Sequence, residues 1–188
     1  VPGLRDFATV YVNGKKVGEL NRVFNSYEMP ITIPFNGSLE ILVENMGRIN
    51  YGAEIVNNLK GIIAPVSIND YEITGGWEMY KAPFAEVPKV ENSTEVKTGR
   101  PVVCSGNFDL KKQGDTFLNM SKMGKGIVFV NGHNLGRYWK VGPQQTLYVP
   151  GCWLKKKDNT ITIFEQLNDV AATSISAQKT PILEDLKS

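Results

Sequence analysis

One histidine, His133, and two cysteines, Cys104 and Cys152, are all that 188 residues offer for imidazole or thiol chemistry. No Cys/His set has metal-ligand spacing, so neither a metal nor another cofactor is expected. Two thiols in a chain this long are no disulfide framework, and they read either as one bridge or, preferably, as two buried or half-buried thiols. Charge of one sign is scarce as well. Lys+Arg 21 against Asp+Glu 19 leaves a net charge of +2, too little for the basic face that phosphate neutralisation needs, and nucleic acid is not expected as a partner. No apolar run approaches the ~18 residues of a membrane span, and Val1-Pro2-Gly3-Leu4 opens no signal peptide. The expectation is a soluble chain without a membrane partner, cut from something longer. Length excludes a (β/α)₈ barrel, which takes about 250 residues.

What the chain has is short alternating runs bounded by turn residues. They are Ala8–Val12, Ile31–Ile33, Leu39–Val43, Gly126–Val130, Thr146–Val149 and Thr160–Phe164. Period two with β-branched and aromatic residues predicts strands, and no long stretch carries a helical stripe. The expected class is all-β, a sandwich. Asn13-Gly14 and Asn131-Gly132 each follow such a run, and Asn-Gly suits the two positive-φ positions of a type I′ hairpin. Superposed with an offset of 118 residues, Val10-Tyr11-Val12-Asn13-Gly14 falls on Val128-Phe129-Val130-Asn131-Gly132, and Val17-Gly18 on Leu135-Gly136. The chain therefore reads as two related β units. We expect a first domain over 1–85, with Trp77–Tyr80 a strand of one unit or the other, a polar linker over 86–100, and a second domain over 101–188. The polar tail from Asn168 adds an edge strand or frays.

Catalytic signatures are missing: there is no phosphate-binding glycine loop and no nucleophile elbow. Glu44, Glu54 and Glu165 lie near apolar residues, and a strand carboxylate paired with Arg or an amide explains them better than a catalytic pair; no residue is assigned a catalytic role. Two stretches suit a sugar, whose hydroxyls want planar polar partners and whose ring faces stack on aromatics. One is residues 44–53, where Arg48, Asn50 and Tyr51 sit between glycines past a strand end. The other is residues 132–139 with Gln144 and Gln145, where a structural reading is preferred: His133 as a turn residue, Trp139 filling the core or a seam, Arg137 bonding carbonyls.

The run Lys125–Trp139, followed by Gly142-Pro143-Gln144-Gln145-Thr146-Leu147-Tyr148-Val149-Pro150, resembles the C-terminal domain of glycoside hydrolase family 35 β-galactosidases. Val43–Gly52 with Lys60-Gly61-Ile62 resembles the β-domain that precedes it, and the likeness covers roughly residues 4 to 167. The resemblance implies two galactose-binding-like jelly-roll sandwiches, the first without the strands that in the family precede Arg5-Asp6. It implies a parent enzyme that removes terminal β-D-galactose with retention, whose catalytic barrel is this region's partner and whose galactoside substrate it meets only through that parent. It further implies that Tyr51, with Asn50 and Arg48, lines the aglycone side of the active site, Asn45 and Arg48 holding the loop, and that the protein is secreted, periplasmic or lysosomal. A free-standing carbohydrate-binding module and an adhesive β-sandwich array are the alternatives.

Overall fold

The computed structural model describes residues 1–90, 99–143, 145–167 and 174–183. The middle of the expected linker, Gln144 and the start of the tail at Asn168 lie outside the described residues. Among the described residues, regular structure is all β apart from three short 3₁₀ turns, and the chain divides into two compact units, Val1–Lys81 and Ala82–Ser188.

In the first unit, β1 (Leu4–Arg5) leads into β2 (Phe7–Val12), which turns at Asn13-Gly14 into β3 (Lys15–Asn21); β4 (Leu39–Glu44) pairs on the other side of β2, giving the order β3-β2-β4. Strand β5 (Gly61–Ile62) pairs with β1, and β6 (Val66–Ile68) pairs with β7 (Tyr71–Ile73). Leu4, Ala8, Val10 and Leu20 form one buried cluster, with Tyr27, Met29 and Ile41 half-buried against it, and Phe7, Tyr11, Val12 and Val66 are buried as well. Residues 31–33, expected as a strand, are irregular. Pro30 and Pro34 flank them, and proline cannot donate to a ladder. Trp77–Tyr80 is also unpaired with any strand.

The second unit is a sandwich. Strands β8 (Val102–Phe108), β10 (Lys125–Val130), β11 (His133–Trp139) and β13 (Asn159–Glu165) form one sheet in the order β11-β10-β13-β8. The other sheet holds β9 (Thr116–Asn119), β12 (Thr146–Val149) and β14 (Ser176–Gln178) in the order β12-β9-β14. Leu118, Met120, Val128, Val130, Tyr138, Leu147, Val149 and Ile163 fill the space between them. Period-two alternation places Val128, Val130 and Ile163 on the same inner face.

The repeat read from the sequence extends to hydrogen bonds. Strands β2 and β3 map onto β10 and β11 residue for residue at the offset of 118. Both hairpins turn through positive φ, Asn13 (52°) with Gly14 (68°) and Asn131 (50°) with Gly132 (85°), the geometry expected of Asn-Gly. Both bulge at the same place, between Val10 and Tyr11 and between Val128 and Phe129. In each, the hairpin asparagine reaches across to the third strand. Asn13 donates its N–H to the Ser38 carbonyl (3.0 Å) and accepts Ser38 N–H on Oδ1 (2.8 Å); Asn131 does the same with Thr160 (3.0 and 2.8 Å).

Cys104 and Cys152 are both free and exposed, which corrects the expectation of a bridge or of buried thiols. Cys104 lies on edge strand β8 opposite Ile163, and Cys152 lies in the 3₁₀ turn Gly151–Trp153; both reach solvent.

Candidate functional site

Past the end of β4 the first unit sends out a loop, residues 45–60, that returns to β5. Its two ends are held at one carboxylate. Asp6, in the step between β1 and β2, is 6% exposed. Its Oδ2 accepts the Met46 N–H (3.0 Å) and the Lys60 Nζ (2.7 Å), and its Oδ1 accepts Arg22 NH1 (3.0 Å). Burial by itself raises this carboxyl's pKa, but the bonds from Lys60, the Met46 amide and Arg22 outweigh it, and Asp6 sits below the ordinary carboxylate value. It is therefore an anion at neutral pH, and it fixes where the loop leaves and where it returns.

Between those ends the loop is shaped by amides. Asn45 Oδ1 accepts the Gly47 N–H (2.8 Å), and Asn58 Oδ1 accepts the Ile49 N–H (3.3 Å). Gly47 and Gly52 stand at φ +103° and +100°, a region that side chains strain to enter, with no atom within 4 Å of the missing Cβ. They bracket the stretch 48–51 and turn it outward. Arg48, Asn50 and Tyr51, the residues singled out from the sequence, all lie there in solvent, Tyr51 at 89% exposure. Asn45 holds the loop as expected. Arg48 does not: it has no hydrogen bond or ion pair among the described residues, and Asp6 and Asn58 take that part. Sequence reasoning missed Asp6, Lys60, Arg22 and Asn58; the available signal was an acid standing directly before the apolar run Phe7–Val12.

The loop and the residues just after it are also unusually apolar for a solvated segment. Ile49, Tyr51, Ile55, Val56, Leu59, Ile62 and Ile63 are each more than a third exposed, and Tyr71, Met79 and Tyr80 are more than four-fifths exposed in the same unit.

In the second unit the stretch 132–139 divides between structure and surface. Tyr138, 1% exposed, enters the core and donates its hydroxyl to Glu165 Oε2 (2.9 Å). Glu165, buried, also accepts the N–H groups of Gly124 (2.9 Å), Lys125 (3.0 Å) and Leu167 (3.0 Å). Burial and the adjacent Glu165 carboxylate push the Tyr138 phenol far above its ordinary value, so it remains a donor. Glu165 is thus the paired strand carboxylate the sequence suggested. Tyr138, rather than Trp139, fills the core, and Trp139 instead lies half-buried under the Lys125 ammonium, 4.7 Å from the ring centre. His133 stacks on Trp153 at 4.2 Å and 12°. Asn134 closes its own turn by accepting the Gly136 N–H (2.8 Å) and, with Arg137 and Phe84, borders a shallow cleft of about 400 Å³.

Two family models match. Residues 1–83 fit the "Beta-galactosidase, first all-beta domain" and residues 101–159 the "Beta-galactosidase, galactose-binding domain". The chain belongs to the β-galactosidase family. It is 35% identical to human β-galactosidase-1-like protein 2 over 96% of its own length, 34% identical to β-galactosidase 1 of Dictyostelium discoideum over 87%, and 36% identical to β-galactosidase 17 of Arabidopsis thaliana over 88%. It spans only 29%, 28% and 28% of those relatives respectively. Within the β-galactosidase family, then, the Asp6-anchored loop lies in the first all-β domain, and the second Asn-Gly hairpin with its buried Tyr138 lies in the galactose-binding domain.

Proposed function

We propose that the chain is the non-catalytic β-domain region of a larger enzyme that hydrolyses terminal β-linked galactose with retention. Its first unit packs on the catalytic barrel, and the outer part of the 45–60 loop faces the aglycone side of the active site. The observation that carries this reading is the apolar exposure of residues 49–63 on the first unit. A contiguous apolar surface rimmed by polar residues marks a partner. The barrel supplies both carboxylates of the retaining reaction, which stand about 5 Å apart. This chain supplies shape: the Tyr51 ring offers a face to the C–H side of a sugar, and Asn50 and Arg48 offer planar groups to its hydroxyls. We place the enzyme outside the cytosol, in a secreted, periplasmic or lysosomal setting.

The test is Tyr51→Ala in the full-length parent. We expect kcat/KM on a galactosyl disaccharide to fall about tenfold, or about 1.4 kcal/mol of transition-state stabilisation, with a smaller loss on a small aryl galactoside. Unchanged kcat/KM on the disaccharide would refute the placement of the loop. Calorimetry of the isolated chain with galactose separates this reading from a free-standing binding module, which would bind without a barrel.

A further inference from the structure

Among the described residues, the core of the second unit is open along one flank. Strand β8 stands at the edge of its sheet, pairing with β13, and β14 stands at the edge of the facing sheet, pairing with β9. Between these edges lies a crevice of about 440 Å³, walled by Phe108, Leu110, Leu118, Val149, Ile163 and Ile175. Gly106 makes the room. Among the described residues, a Cβ added there would meet Ile161 Cγ2 at 3.9 Å and nothing nearer, and its φ is not in the left-handed region, so an alanine fits without strain. Glycine inside a strand weakens it, and it recurs where a ligand approaches the backbone. Volume and lining fall in the range of small-molecule sites.

The chemistry of the walls selects the occupant. No charged side chain lines the crevice among the described residues, and burying an unpaired charge there would be costly. At the mouth, the backbone groups of β8 that face away from β13 offer hydrogen bonds along a sheet edge. We propose that this crevice binds a neutral amphiphile, an aryl or short alkyl group seated against Gly106 with one hydrogen-bonding end at the β8 edge. The site belongs to the second unit alone and stands independently of the galactosidase reading.

The test titrates the full chain with the neutral fluorophore N-phenyl-1-naphthylamine. One saturable component is expected, weakened at least about tenfold in Gly106→Leu, whose added side chain fills the floor while leaving the apolar surface of the first unit untouched. Cys104 opens on the crevice and Cys152 does not, so saturating fluorophore should slow N-ethylmaleimide alkylation of Cys104 several-fold and leave Cys152 unchanged. If Gly106→Leu does not fold, the alkylation rates of the unsubstituted chain decide. Titration without a saturable component, binding that survives Gly106→Leu, or equal protection of both thiols overturns the proposal. So does a concentration-dependent dimer that Gly106→Leu abolishes, which would give the crevice to a second copy.

Discussion

Replacing Asp6 by Asn should release the 45–60 loop and weaken the first unit. The substitution keeps the shape but removes the charge. One side of the new amide becomes a donor facing either the Met46 N–H and Lys60 ammonium or the Arg22 guanidinium. The Lys60 side chain is 13% exposed and the Asp6 side chain 9%, so this pair is largely out of water, whereas Arg22 at 37% contributes little. Removing one partner of a buried pair costs about 3–5 kcal/mol; with the shape retained and Arg22 able to turn to solvent, we expect about 3 kcal/mol. For a unit of this size that lowers the melting midpoint by about 15 °C. Hydrogen exchange read by mass spectrometry separates the two effects, because peptides over residues 46–60 report the loop and peptides over β2 and β3 report the whole unit. The pH dependence carries a sign. Asp6 is depressed below its ordinary 3.8, so its contribution is present above that value and is lost as pH falls through the folded-state value. The gap between the chain and Asp6→Asn should therefore be full at neutral pH and shrink below about pH 4. Exchange over 46–60 that changes by less than about 0.5 kcal/mol, or a gap that stays constant into acid, would refute the reasoning.

Glu165→Gln should lower the unfolding midpoint of the second unit by more than Tyr138→Phe. Whichever oxygen becomes an amide nitrogen then faces two donors, a loss of about 3 kcal/mol against about 1–2 for the single phenol bond, measured by denaturant titration. Asn131→Ala should cost about 2–3 kcal/mol, because it removes the bond from the Thr160 N–H and the amide's own bonds to the Trp153 carbonyl and Asn159 Oδ1, whereas Asn13→Ala, which loses only the bonds from Ser38, should cost about 1 kcal/mol in the first unit. A loss in both units, larger at Asn131, would verify that the hairpin asparagine is energetic as well as geometric, and a negligible loss in either would count against it.

Local chemistry is what the sequence made legible. The Asn-Gly hairpins, the strands around them and the offset of 118 could be read because turn type and alternation are decided by neighbours. Both bulges were invisible, since a bulge is a property of the pair and not of one strand. Asp6 was unreadable for a related reason: its partners stand 16, 40 and 54 residues away in the chain. The composition of the 44–53 stretch did signal a loop past a strand end, and its bracketing glycines stand at positive φ. What composition could not tell was that Arg48 would take no part in holding it. Residues 31–33 alternate like a strand, yet Pro30 and Pro34 deny them a ladder on either side.

The Asp6 anchor also determines when the loop loses its freedom. A segment of about fifteen residues left free would have to be ordered on contact, at roughly 1–2 kcal/mol of backbone entropy per residue. Because one carboxylate clasps both ends and Asn45 and Asn58 tie the interior, part of that entropy is already surrendered when the first unit folds. If the loop docks as proposed, substitutions at Asp6 should therefore act on the strength of that docking without altering a single atom of the exposed stretch 48–51.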